Sequence, residues 1–200
     1  MVIVYEVGAG LYVNMTNRCS NACEFCVRQV ADGTYGELWL DREPSCEELL
    51  AELEKNQPAD HTELVFCGYG EPTERFDDML CVAKEMRRRY PGLRIRLNTN
   101  GHANLICRRD VTPEFAGVFD SVSISLNAAN AKDYVKICVP EFGEAAFDGL
   151  LDFAQRAKQY VPQVQLSVVR ESIPDSEIVA CQRLADACGI PLRVREMIRN

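Results

Sequence analysis

Apolar positions along the chain follow two different spacings. Short runs with a period of two, or compact apolar runs closed by Gly or Pro, occur at Leu11–Asn14, Glu63–Cys67, Leu93–Leu97, Ser121–Leu126, Val164–Val168 and Leu192–Arg195. Such runs predict strands. Between them the spacing changes to three or four residues. Phe76, Met79, Leu80, Ala83, Met86 and Tyr90 lead to Pro91-Gly92. Phe147, Leu150, Leu151, Ala154, Ala157 and Val161 form a second stripe, and Ile178, Cys181, Leu184, Ala185 and Cys188 form a third before Gly189 and Pro191. These stripes predict helices stopped by Pro and Gly. Ser45-Cys46-Glu47-Glu48 has the form of a capping box, in which Ser and Glu satisfy free backbone amides, and predicts a helix from there to about Asn56.

Six strands, each but the last followed by a crossover, predict an α/β fold of parallel strands. Eight such units close a barrel in about 250 residues. Six in a chain of 200 residues predict a partial (βα)6 TIM-type barrel, left open, as a single domain over residues 1–200. Chemistry in such folds sits at the carboxyl ends of the strands.

Composition narrows the function. A chain that is 47% hydrophobic and 26% charged buries a core rather than remaining disordered. Its net charge of -8 gives no broad footprint for nucleic acid or anionic lipid. No apolar run approaches the roughly 20 residues of a spanning helix, and Met1–Glu6 lacks the form of a signal peptide. The expected compartment is the cytoplasm, where the ten cysteines should be thiols or metal ligands.

Three of the ten stand together in Cys19-Ser-Asn-Ala-Cys23-Glu-Phe-Cys26, a polar loop after the first predicted strand. Thiolates favour zinc or iron-sulfur clusters. Structural zinc takes four ligands, commonly as two separated pairs. Here there is no second pair, and His61 and His102 are isolated. Two readings follow: a non-catalytic zinc-binding interaction module completed by a histidine, or, favoured, a cluster on three cysteines. The second leaves one iron open to chelate a small molecule through an amine and a carboxylate.

The C-x3-C-x-aromatic-C segment, with Phe25 before Cys26, resembles the hallmark of the radical S-adenosylmethionine (radical SAM) family. Gly68-Tyr-Gly70-Glu71-Pro72 is similar to that family's GGEP motif, with Tyr69 replacing a second consecutive glycine. Asn98-Thr-Asn100-Gly101 and Ser123-Ile-Ser125-Leu-Asn127 are similar to its polar strand ends. The resemblance implies that Cys19, Cys23 and Cys26 ligate a 4Fe-4S cluster and that Phe25, Gly68, Gly70, Glu71, Asn98, Asn100, Ser123, Ser125 and Asn127 surround S-adenosylmethionine. It implies reductive cleavage to a 5'-deoxyadenosyl radical that abstracts hydrogen from a substrate, with a flavodoxin or ferredoxin as electron donor. Leu11–Cys19 and Cys26-Val-Arg28 look most like the small TatD-associated members, which implies a functional link to a TatD-type hydrolase. Enzymes that activate glycyl-radical proteins and 7-carboxy-7-deazaguanine synthase are the nearest functional analogies.

Each motif also has a plainer structural reading. Gly68 and Gly70 can simply form a turn, with Glu71 as a charge at a helix start. The Ser and Asn residues can satisfy local backbone groups. Cys181 and Cys188 lie roughly 10 Å apart along one helical stripe and read as core thiols. Cys46 in a first helical turn should be unusually acidic. Cys138, placed in the loop after the fourth strand, is a catalytic candidate as a hydrogen-atom donor or substrate contact. Arg28, His102 and Arg195 are candidates for gripping an anionic substrate.

Overall fold

The computed structural model describes residues 1–30, 33 and 35–197. Its centre is a seven-stranded sheet in sequential order: β1 (Val4–Val7), β2 (Gly10–Val13), β3 (Glu63–Phe66), β4 (Arg94–Thr99), β5 (Ser121–Ser125), β6 (Gln163–Val169) and β7 (Leu192–Arg195). β2 to β7 run parallel, matching the six predicted strands, and the sheet is open. β1 adds an antiparallel edge to β2, with Tyr5 opposite Tyr12. It was not among the expected strands.

The helices are α1 (Val27–Val30), α2 (Cys46–Lys55), α3 (Phe76–Arg89), α4 (Ala103–Cys107), α5 (Ala131–Cys138), α6 (Ala145–Ala157) and α7 (Asp175–Cys188). Ser45 and Glu48 form the reciprocal capping box at the start of α2. Gly189, at φ +61°, ends α7 in the left-handed conformation that glycine adopts without a Cβ penalty. The connection between β4 and β5 is thinner than a full crossover helix, consisting of α4 and a single turn at Thr112–Phe115. α5 fills the chain where only a loop was expected, and Asn130 caps it by accepting from the Asp133 amide.

Alternation along the strands separates two surfaces. Leu11, Val13, Leu64, Phe66, Ile95, Leu97, Val122, Ile124, Leu166 and Val168 form the core with Leu49 and Leu53 of α2, Met79 and Met86 of α3, and Leu150 and Phe153 of α6. The intervening residues face the concave lumen, among them Tyr12, Arg96, Asn98, Ser123, Ser125, Gln165, Ser167 and Arg195. Barrel lumens are ordinarily filled by branched apolar side chains. This one is hydrophilic.

Two thiol assignments divide. Cys181 is buried in the core as expected. Cys46 is not acidified: its thiol donates to Asp78 Oδ1 at 3.0 Å, and burial together with that carboxylate pushes it up to about 12. The local charge outweighs the helix-terminal effect.

Phe115 is fully buried, with ring centroids 5.0 Å from Phe119, 5.9 Å from Phe153 and 6.0 Å from Phe76. Phe115→Ala should therefore cost about 3–5 kcal/mol of stability in urea unfolding. A loss below about 1 kcal/mol would contradict this packing.

Candidate functional site at the carboxyl ends of the strands

The cysteine loop leaves β2 and is docked on the turn that leaves β3. Asn14, buried at the end of β2, donates through Nδ2 to the carbonyls of Val2 (3.1 Å) and Leu38 (2.6 Å), and its Oδ1 accepts from the Tyr69 amide at 3.3 Å. The Glu71 amide donates to the Arg18 carbonyl at 2.8 Å. A Cβ on Gly68 would lie 2.1 Å from Asn14 Oδ1, and one on Gly70 would lie 2.3 Å from the Thr16 carbonyl and 2.5 Å from that of Arg18. Gly70 is required because two backbones touch, and Gly68 because it abuts the Asn14 side chain and Cα. Arg75 fixes the same segment by donating to the carbonyls of Met15 (3.0 Å) and Pro44 (2.7 Å).

Glu71 is held by the chain around it. Its carboxylate is buried and accepts from the Thr73 amide (3.1 Å), Thr73 Oγ1 (2.8 Å), Thr99 Oγ1 (2.8 Å) and the Asn100 amide (2.7 Å). Three of these donors converge on Oε1 and one reaches Oε2. Burial raises its pKa while these bonds oppose the rise. Glu71 thus joins the β3 turn to the end of β4.

From there a buried chain of polar contacts reaches the loop itself. Asn100 Nδ2 donates to Ser20 Oγ at 2.9 Å and Asn100 Oδ1 accepts from the His102 amide. Ser20 Oγ lies 3.2 Å from His102 Nδ1, and His102 Nε2 lies 3.1 Å from the Tyr134 hydroxyl, which also accepts from Asn21 Nδ2 at 2.9 Å. Burial lowers His102 to about 4, so its ring is neutral at pH 7. This overturns the idea that His102 grips an anion. Backbone pairing completes the enclosure: the Ala22 amide donates to the Cys138 carbonyl, and that of Glu141 to Ser20.

The three thiols are half-buried on this loop. Burial foremost pushes Cys19 up to about 12, with Glu71 adding to the rise, and burial also raises Cys26. Cys23 is raised through its contact with Cys138 and then by burial. The field of Arg28 works in the opposite direction on all three. Its guanidinium donates to the carbonyls of Asn17 (3.5 Å) and Asn21 (3.3 Å), so Arg28 braces the loop rather than standing free for substrate. Cys138 is not in a loop but ends α5, fully buried. Its carbonyl accepts from the Cys23 thiol (3.8 Å), and its sulfur accepts from Asn127 Nδ2 (3.7 Å). Phe25 packs partly against the core.

As the side chains stand, no three His, Cys, Asp or Glu among the described residues converge tightly enough for one metal ion. A cluster takes its thiolates on separate irons and needs a wider ring of ligands than one ion does. Neither histidine is available to complete a zinc site. His102 is engaged at both nitrogens, and His61, preceding β3 at the opposite end, contacts the Gln57 carbonyl and Glu6. Around the loop, buried Asn98 Oδ1 and Asn127 Oδ1 have no hydrogen-bond partner. The Ser123 and Ser125 side chains make no protein hydrogen bond among the described residues. Unpaired buried acceptors cost free energy, so a polar ligand with donors suits these oxygens, while the three thiols suit an iron-sulfur cluster.

The architecture is that of an open-barrel α/β protein with a three-thiol loop at its carboxyl mouth. The chain belongs to the Radical SAM superfamily, whose family model matches residues 13–185. The family's cofactors are a 4Fe-4S cluster and S-adenosylmethionine, it requires a reductant, and its members are enzymes. The fold is similar to that of Streptococcus suis SuiB bound to its precursor peptide SuiA (TM-score 0.67, 11% identity, 98% of this chain and 40% of SuiB). It is also similar to a radical SAM methyltransferase from Sphaerobacter thermophilus (0.60, 16%, 96% and 68%) and to methylornithine synthase PylB (0.63, 15%, 95% and 53%). The chain thus spans only 40% of SuiB's length. No curated protein matches the sequence. Among the described residues no helix is long and apolar enough to cross a membrane.

Sequence reasoning missed Asn14, Arg75, Tyr134 and the Ser20–His102 contact, all of which place the loop. The one available signal was Asn14 itself, a polar residue closing an apolar strand.

Two outcomes follow from this geometry. Gly70→Ala should destabilise the protein by about 2–4 kcal/mol in urea unfolding, since backbone carbonyls cannot retreat as a side chain can; an unchanged midpoint would refute the close approach. His102 has a folded-state pKa below its unfolded value of 6.5. Its contribution is therefore full above that pH and lost as pH falls through about 4. Over this interval the wild type should lose up to about 3 kcal/mol more than His102→Gln. Parallel stability curves would show that the ring is not buried neutral.

Proposed function

We propose that this chain is a radical SAM enzyme in which Cys19, Cys23 and Cys26 hold the 4Fe-4S cluster and the mouth of the open barrel holds S-adenosylmethionine. The observation that carries the reading is the docking of the three-thiol loop on the Gly68–Glu71 turn, beside unpaired polar groups of β4 and β5. When bound and reduced, the cluster supplies the electron that cleaves the sulfonium, giving methionine and a 5'-deoxyadenosyl radical.

The protein's part is binding, orientation and exclusion of water. Metal charge converts the buried thiols to thiolates, which Arg28 also favours. The close-packed Gly68–Gly70 backbone offers carbonyls to the methionine ammonium, with Glu71 and Asn100 holding that turn against the cysteine loop. Ser123, Ser125, Asn98 and Asn127 supply hydroxyl and amide groups for the methionine carboxylate and the ribose. Phe25 supports the last ligand from the core side. Cys138, under Cys23, acts through that ligand rather than by touching substrate.

The electron donor is of flavodoxin or ferredoxin type, matching a cluster toward the low end of the roughly -700 to +450 mV range. The working compartment is the cytoplasm. Likeness to the TatD-associated members supports a functional link to a TatD-type hydrolase. The hydrophilic lumen favours a small polar substrate, as in 7-carboxy-7-deazaguanine synthase, over the glycyl backbone of a protein to be activated.

Anaerobic reconstitution should yield about four irons and four sulfides per chain, and the reduced protein should form 5'-deoxyadenosine from S-adenosylmethionine. Cys26→Ala should abolish that product. Stoichiometric zinc without sulfide, or undiminished product from Cys26→Ala, would overturn the assignment.

A further inference from the structure

Cations are distributed unevenly in this acidic protein. Of the residues that β4 and β7 turn toward the lumen, four are Arg94, Arg96, Arg193 and Arg195, because Ile95, Leu97, Leu192 and Val194 take the opposite, core-packed face. Glu63 of β3 is the carboxylate among them: it pairs with Arg96 Nη2 at 2.8 Å, and the same nitrogen donates to the Tyr12 hydroxyl at 3.0 Å. Arg94 donates to Gln163 Oε1 at 3.1 Å. Arg193 is exposed to solvent.

Arg195 alone of the four combines burial with the lack of any partner. It is half-buried, its Nε, like that of Arg96, is buried without a hydrogen-bond partner, and among the described residues no carboxylate or other acceptor pairs with it. The groups that act on it most strongly are the Cys67 thiol, Tyr12 and two further cations, Arg193 and Arg96. Burial and those like charges lower its pKa. Cys67 immediately precedes Gly68, so the field of the guanidinium reaches the start of the turn that docks the cysteine loop. An unneutralised guanidinium in a half-buried lumen, among other cations, costs stability and is poised to gain from a counter-charge.

We propose that Arg195 is a binding residue for an oxyanion of the substrate, held in the lumen near the mouth where S-adenosylmethionine binds. The proposal rests on the radical SAM reading and adds the substrate class, a small polar molecule bearing a carboxylate or a phosphate. A guanidinium offers a planar fork of donors that matches either group. Arg96 adds positive potential from the neighbouring wall while remaining tied to Glu63. The substrate's anionic end thereby fixes which of its carbons faces the mouth.

The test uses the full chain, anaerobically reconstituted, titrated at constant ionic strength with inorganic phosphate or with malonate against a chloride control. Binding is read by the intrinsic fluorescence change and by the shift in thermal midpoint. Wild type should bind at least one of the two probes and melt higher in its presence, and the probe that saturates at the lower concentration identifies the preferred oxyanion. Arg195→Gln should weaken that binding roughly tenfold or more, while Arg88→Gln, on the outer face, should not. In chloride alone, Arg195→Gln should be at least as stable as wild type, since it removes an unpaired charge; a merely structural arginine would give a loss. No binding of either probe to wild type, or equal binding to Arg195→Gln, would overturn the proposal. Formation of 5'-deoxyadenosine by the wild-type protein tests the underlying reading separately, so either can fail while the other stands.

Discussion

The site depends on one close approach between two stretches of backbone. The turn after β3 lies so near the segment leading to Cys19 that neither Gly68 nor Gly70 has room for a Cβ. That contact lets Asn14 bridge to Tyr69 and the Glu71 amide reach Arg18. Glu71 then stands where Thr73, Thr99 and Asn100 can surround its carboxylate. A carboxylate in this position would be costly if unpaired, and four donors offset the loss of water. The three ligating positions are thus carried by a loop held from below by packing and from the side by the Asn100–Ser20–His102–Tyr134 contacts.

The same sheet that positions the loop also makes the space beneath it polar. Each of β4, β5, β6 and β7 alternates strictly enough to send apolar side chains to the helices and Arg, Asn, Ser or Gln inward. The core is therefore complete on one side of the sheet, and the lumen is free to serve recognition. Stability and substrate choice are separated by the pleat of the strands.

Much of this was legible in the chain. Period-two runs marked the six parallel strands because half-buried strands alternate, and Ser45 with Glu48 announced α2 through a local hydrogen-bond pattern. The cysteine spacing and the Gly68–Glu71 turn pointed to the carboxyl mouth because ligand type and glycine placement are local features. What stayed hidden depends on distant partners. The donors around Glu71 were not foreseeable, because Thr99 and Asn100 belong to the end of another strand. His102 could not be recognised as a buried neutral ring without Ser20 and Tyr134. Cys46 was misjudged because the opposing charge, Asp78, belongs to another helix. α5 was missed because eight residues hold too few repeats to display a helical period.

The central claim is that three cysteines hold a cluster and leave one corner for the amino acid end of S-adenosylmethionine. Mössbauer spectroscopy of the protein loaded with 57Fe tests it directly. Addition of S-adenosylmethionine should shift the signal of about a quarter of the iron toward a more highly coordinated site and leave the remainder unchanged. A spectrum in which all the iron is equivalent and indifferent to S-adenosylmethionine would contradict the account.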